Sequence, residues 1–185
     1  MIERRELFKI LGATLAAARE VAAQHEHGAA APIDTANYKP RFFSDRQYTA
    51  IDDLTEIIIP ADDQSPGARA AGVRFYVDSV LHYAAPDVQQ RWHNGLAAVE
   101  EAAHAQFGKD FPDLGAAEKD KLVALMAKGE KSPTTELERF FPVLKGAAVE
   151  AFALSDIGMQ EYLGYNGNTA IPEFPGCTHP EHQST

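Results

Sequence analysis

From Val88 the apolar residues Val88, Trp92, Leu96, Val99, Ala103 and Phe107 recur at steps of three and four. That period lays one apolar stripe along an α-helix, whereas a strand would scatter the same residues over both of its faces. Both ends of the segment are marked. Pro86 brings a preset φ to the first turn, Asp87 faces the positive end of the helix dipole, and Gly108 suits a left-handed cap. A helix of this kind needs other apolar faces to cover its stripe, so the rest of the chain is read for partners.

They are present. Ser44 with Gln47 makes a capping box, and Phe43 with Tyr48 stands at the positions of a hydrophobic staple. Ile51, Leu54 and Ile58 continue that helix until Pro60 stops it. After the turn-rich stretch ADDQSPGARAAG, a second helix is predicted over Val73 to Tyr83, with Phe75, Val77, Val80 and Leu81 available for burial. Another runs from Ala116 to Lys128 and ends at Gly129. The last starts near Ser132 and Pro133 and carries Leu137, Phe141, Leu144, Ala148 and Phe152, and Pro142 predicts a kink or a split. No stretch alternates with period two. The expected fold is all-α, a bundle of about five helices over 42–155, followed by an irregular tail over 156–185 rich in Gly, Pro and aromatics.

The first 23 residues read differently. Arg4 and Arg5 precede Leu7, Phe8 and Lys9, and the run from Ile10 to Ala18 is uncharged. Val21, Ala22 and Ala23 then offer a small-residue cleavage site. Paired arginines before such a run resemble a twin-arginine export signal, which passes folded proteins to the translocase. Residues 24–41 lack periodicity and read as a flexible lead-in, and His25 and His27 within it read as solvated. A net charge of −10 argues against nucleic acid as a partner. No apolar run reaches the roughly 20 residues needed to span a bilayer.

Candidate chemistry within the bundle is thin. Glu101 and His104 form one Glu-x-x-His, and a di-iron site needs two. Asp52–Asp53 and Asp62–Asp63 read as solvated charge, because neighbours on a helix diverge by about 100° and Asp is common in turns. The sequence holds no GxSxG, no CxxC and no glycine-rich phosphate loop, and a single cysteine cannot make CxxCH.

The tail is richer. Cys177, His179 and His182 are spaced to ligate zinc or copper, the basis of an alternative reading as a free-standing periplasmic metal-binding protein. A lone cysteine in an exported chain also suits an interchain disulfide, a reactive thiol or an inert buried group. Tyr162, Tyr165 and Phe174 alternate with glycines and prolines. Such a stiffened aromatic strap either anchors a partner or packs on its own bundle.

The stretch IIIPADDQSPGARAAGVRFYVD, the pair Phe140–Phe141 and the ending GMQEYLGYNGNTAIPEFPGCTHPEH resemble the gluconate 2-dehydrogenase subunit 3 family, the small or gamma subunits of membrane-bound flavin-dependent sugar and sugar-acid dehydrogenases. The resemblance implies a non-catalytic role. The large subunit of such a complex carries FAD, and a cytochrome subunit with haem c takes the electrons and anchors the assembly to the membrane. The small subunit is expected to act as a chaperone and to escort the large one through the twin-arginine translocase into the periplasm, where the complex is attached peripherally to the inner membrane. On that reading Arg4 and Arg5 serve export, and Tyr162, Tyr165, Phe174 and Cys177 contact the large subunit. Cys177 is the candidate for an interchain disulfide.

Overall fold

The computed structural model describes residues 38–63 and 65–165, with 161 and 162 in backbone alone. Among the described residues six α-helices follow one another: α1 Asp45–Ile58, α2 Gly67–Ala70, α3 Val73–His82, α4 Pro86–Phe107, α5 Ala116–Lys128 and α6 Glu136–Leu154. A 3-10 turn, Phe111–Asp113, precedes α5, and a π turn, Gly158–Tyr162, follows α6. Among the described residues there is no strand. The all-α expectation holds, with five longer helices and the short α2.

The helix ends follow their local chemistry. Ser44 and Gln47 complete the capping box that starts α1: Gln47 N–H donates to Ser44 Oγ at 3.3 Å, and Ser44 N–H donates to Gln47 Oε1 at 3.0 Å. Gly108 takes φ +69 after α4, the left-handed conformation that glycine adopts without strain.

The start of α6 lies at Thr135 rather than at Ser132–Pro133, because a second capping box fixes it there. Glu138 accepts from the Thr134 and Thr135 N–H groups at 2.7 and 3.1 Å and from the Thr134 hydroxyl at 2.7 Å, which lowers its carboxyl pKa to about 2. Pro142 does not split α6, which runs through it as one helix. An interior proline costs about 3 kcal/mol. Phe140, Phe141 and Leu144 around it are buried, and each side chain of that size contributes about 1.5–3 kcal/mol by leaving water. Burial outweighs the missing hydrogen bond.

α6 is the central element, packing against α1, α3, α4 and α5. Its fully buried Phe140 meets Trp92 of α4 edge to face, with ring centroids 5.3 Å apart. Trp92 in turn lies 6.1 Å from Phe43, before α1. Ile51 and Leu54 from α1, Val73 from α3, Val99 from α4 and Leu122 and Met126 from α5 complete the core.

α3 departs from its expected face. Val73, Val77 and Leu81 are buried, but Val80 is half exposed and Asp78 is fully buried. Asp78 lies about 100° round the helix from Val77, so a buried face that includes it turns away from Val80. The carboxylate repays its desolvation with four donors. Oδ2 accepts from Tyr38 Oη at 2.5 Å and Arg41 N–H at 2.8 Å, and Oδ1 accepts from the N–H groups of Phe42 and Phe43 at 3.1 and 2.9 Å. Burial alone would raise the Asp78 pKa, but these hydrogen bonds bring it below the usual carboxylate value. Tyr38 also meets Phe75 edge to face at 4.7 Å. The last residues read as lead-in, Tyr38 to Arg41, are therefore held on the bundle.

Candidate functional site

The chain beyond α6 is reversed by its own backbone. Ser155 Oγ donates to the Phe152 carbonyl at 2.6 Å and accepts from Gly158 N–H at 2.9 Å. Gly158 passes so close that an ideal Cβ on it would lie 1.9 Å from the Phe152 carbonyl oxygen, a position only glycine can occupy. The π turn closes with Leu163 N–H donating to Gly158 O at 2.9 Å, and Tyr165 N–H then donates to Met159 O at 2.7 Å.

This reversal leaves Leu163 58% exposed beside the ends of two helices. Ile58, Ile59 and Pro60 from the end of α1, Val149 and Phe152 from α6, and Leu163 line one cleft of about 330 Å³. Val149 is 50% exposed within the cleft, and Leu154, 57% exposed, lies outside its lining. Scattered exposed apolar groups are ordinary, but several converging on a concave surface form the kind of patch that meets another apolar surface. The cleft sits at the root of the tail.

The acidic residues of α1 are not solvated charge. Asp52 is buried, and Arg69 reaches both carboxylates, with Nε 2.6 Å from Asp52 and Nη2 3.0 Å from Asp53. Arg74 approaches Asp52 at 3.4 Å, and Lys119 pairs with Asp53 at 2.7 Å. Successive aspartates diverge around α1, but the planar guanidinium spans the gap. The group ties α2, α3 and α5 to α1, so it holds the bundle together. Its hydrogen bond to Asp52 raises the Arg69 pKa despite partial burial.

The Glu101–His104 pair is not assembled. Glu101 is exposed and lines a separate groove with Leu125 and Leu137. His104 instead meets Asp110 at 2.6 Å and lies in one group with Glu100.

Of the partner-binding candidates, Tyr165 is 42% exposed at the end of the described chain, two residues from the cleft residue Leu163. Tyr162 closes the π turn and is described in its backbone only. Phe174, Cys177, His179 and His182 lie outside the described residues, as do Arg4, Arg5, His25 and His27. Sequence reasoning missed the cleft itself, since Ile58, Val149 and Leu163 come from three separated segments.

A family model described as gluconate 2-dehydrogenase subunit 3 matches residues 45–172, from the first residue of α1 to beyond the π turn. The chain belongs to this family. No curated protein and no solved structure matches it. The gluconate 2-dehydrogenase subunit 3 span contains all of the cleft residues together with Tyr162 and Tyr165. It ends at Pro172, so Phe174 and Cys177 fall beyond it. Membership makes the chain an accessory subunit of the gluconate 2-dehydrogenase type, one member of a multi-subunit dehydrogenase.

Proposed function

We propose that this chain is the non-catalytic small subunit of a periplasmic, membrane-associated FAD-dependent dehydrogenase, and that it serves as chaperone and twin-arginine escort for the flavin-bearing large subunit. The family match over 45–172 carries the reading. Arg4 and Arg5, ahead of an uncharged apolar run, supply the export address for both chains. A cytochrome subunit with haem c attaches the assembly to the membrane. No described helix of this chain is long and apolar enough to cross one.

The large subunit docks on the cleft formed by the ends of α1 and α6 with Leu163 and extends along the tail through Tyr162, Tyr165 and Phe174. Cys177 forms the interchain disulfide with it. Two features support the occupant: the family's role as one subunit among several, and the exposure of Val149 and Leu163 in the cleft, with Tyr165 exposed two residues further along the chain. A lasting interface should bury more than about 1,200 Å² in total.

The test is tagged purification from solubilised membranes. A larger chain with a flavin absorption spectrum should accompany the tagged protein. Val149→Asp combined with Leu163→Asp should release it while leaving the bundle folded. A lone colourless tagged protein from the wild-type strain would count decisively against the complex.

A further inference from the structure

α4 ends at a cluster that the accessory role does not use. Glu100 and His104, one turn apart on α4, and Asp110, just past Gly108, each offer one donor atom, and these atoms all lie within 4.8 Å of one another. Imidazole nitrogen with two carboxylate oxygens is a donor set for Zn²⁺ and its first-row neighbours rather than for Ca²⁺ or Mg²⁺, which take oxygen alone. We propose that Glu100, His104 and Asp110 bind one Zn²⁺ ion, with water in the fourth position.

The surroundings fit an ion-binding role as well as the donors do. One oxygen of each carboxylate is held from outside the cluster, and the second Asp110 oxygen, Oδ1, is paired with His104 Nε2 in the ion-free protein. Glu100 Oε2 accepts from Phe111 N–H at 2.9 Å, and Asp110 Oδ2 meets Arg46 Nη2 at 2.6 Å. Such outer contacts orient metal ligands in proteins that use them. Arg46 also engages Asp113 at 2.8 Å.

In the ion-free arrangement His104 Nε2 and Asp110 Oδ1 stand 2.6 Å apart. Ligands about 2.0–2.2 Å from a tetrahedral Zn²⁺ sit roughly 3.3 Å from each other. Loading the site therefore asks the pair to part by less than about 1 Å, and both side chains have room: His104 is 55% and Asp110 41% exposed. The ion would staple the end of α4 to the 3-10 turn, and through Arg46 to α1. An open water position also leaves the site accessible to exchange.

Calorimetric titration of the full-length chain with ZnCl₂ tests this, and it is indifferent to whether a dehydrogenase partner exists. The wild type should show a one-to-one binding component. His104→Ala should weaken that component at least tenfold, and so should Glu100→Gln, which keeps an acceptor for Phe111 N–H. His179→Ala with His182→Ala should leave it in place. Circular dichroism checks that the variants fold, and Glu100→Gln decides the matter if His104→Ala does not. Curves for the folded variants that superimpose on the wild type would overturn the site. So would loss of the component only in the tail variant, or no stoichiometric binding at all.

Discussion

Gly95, in the middle of α4, lies directly under the ring of Phe140 on α6: an ideal Cβ on Gly95 would stand 2.1 Å from Phe140 Cδ2. Glycine inside a long helix costs roughly 1 kcal/mol relative to alanine, and this one is kept in α4 because it opens the slot for Phe140. The ring then packs edge to face on Trp92, one helical turn earlier. The packing of α6 on α4 at this point therefore depends on one missing methyl group.

Gly95→Ala should destabilise the protein by about 1–3 kcal/mol, since overpacking exceeds the gain in helix propensity. Urea unfolding would read this as a lower midpoint at unchanged slope. Phe140→Leu in the same background should recover part of the loss by vacating the slot. A more stable Gly95→Ala protein would show that the ring has room to move.

Asp78 sets a second expectation. Asp78→Asn keeps the shape but turns an amide toward donors that need an acceptor, and should cost about 2 kcal/mol or more. Tyr38→Phe, which removes one donor from the group, should cost about 1 kcal/mol. The pH dependence follows from the lowered folded-state pKa. The stabilisation is complete above the unfolded carboxyl value of about 3.9 and is lost as pH falls through the folded one. Glu138, held down to about 2, acts in the same direction between about pH 4 and 2. Wild-type stability should therefore drop steeply below pH 4, with a shallower drop in Asp78→Asn. Parallel curves would rule out Asp78 as a source of acid sensitivity.

These two residues mark what pattern reading can and cannot reach. The limits of α4 and α5 were legible because Pro86, Gly108 and Gly129 are local signals that act through their own backbone. The start of α6 was missed by a few residues because Ser132 and Pro133 compete with the capping pair Thr135 and Glu138. Asp78 was invisible. An aspartate between Val77 and Ser79 reads as surface, and the donors that permit its burial lie 35 to 40 residues earlier. Arg69 was missed for the same reason, since Asp52 and Asp53 converge only on a side chain from another helix. At the candidate docking site the aromatic Tyr165 stood out in the sequence, while Leu163 gained meaning only when the chain reversal set it beside Ile58 and Val149.

Arg69 should prove harder to replace than an exposed arginine. Its side chain is 51% exposed, which screens the pairing, but Asp52 beneath it is only 10% exposed and one of its oxygens, Oδ1, has no hydrogen bond. Arg69→Ala should cost about 1–2 kcal/mol, more than a surface ion pair and less than a buried one. Arg69→Lys should recover less than half, because an ammonium cannot reach both carboxylates as the planar fork does. Thermal unfolding of the three proteins at low and high salt would check this, and full rescue by lysine would reduce the interaction to simple charge.

The export reading leads to the most discriminating outcome. Arg4→Lys with Arg5→Lys preserves every charge in the first 23 residues, so loss of function on that change reports recognition of the guanidinium pair rather than attraction to a surface. The substitution lies outside the span 45–172 that carries the family match, so binding of the large subunit should be unaffected. Flavin-linked dehydrogenase activity should consequently persist in the cell but move from the periplasmic to the cytoplasmic fraction, with the two chains still purifying together. Undiminished periplasmic activity would refute the escort role while leaving the subunit assignment intact. Activity absent from both fractions would instead mean that the large subunit matures only after export.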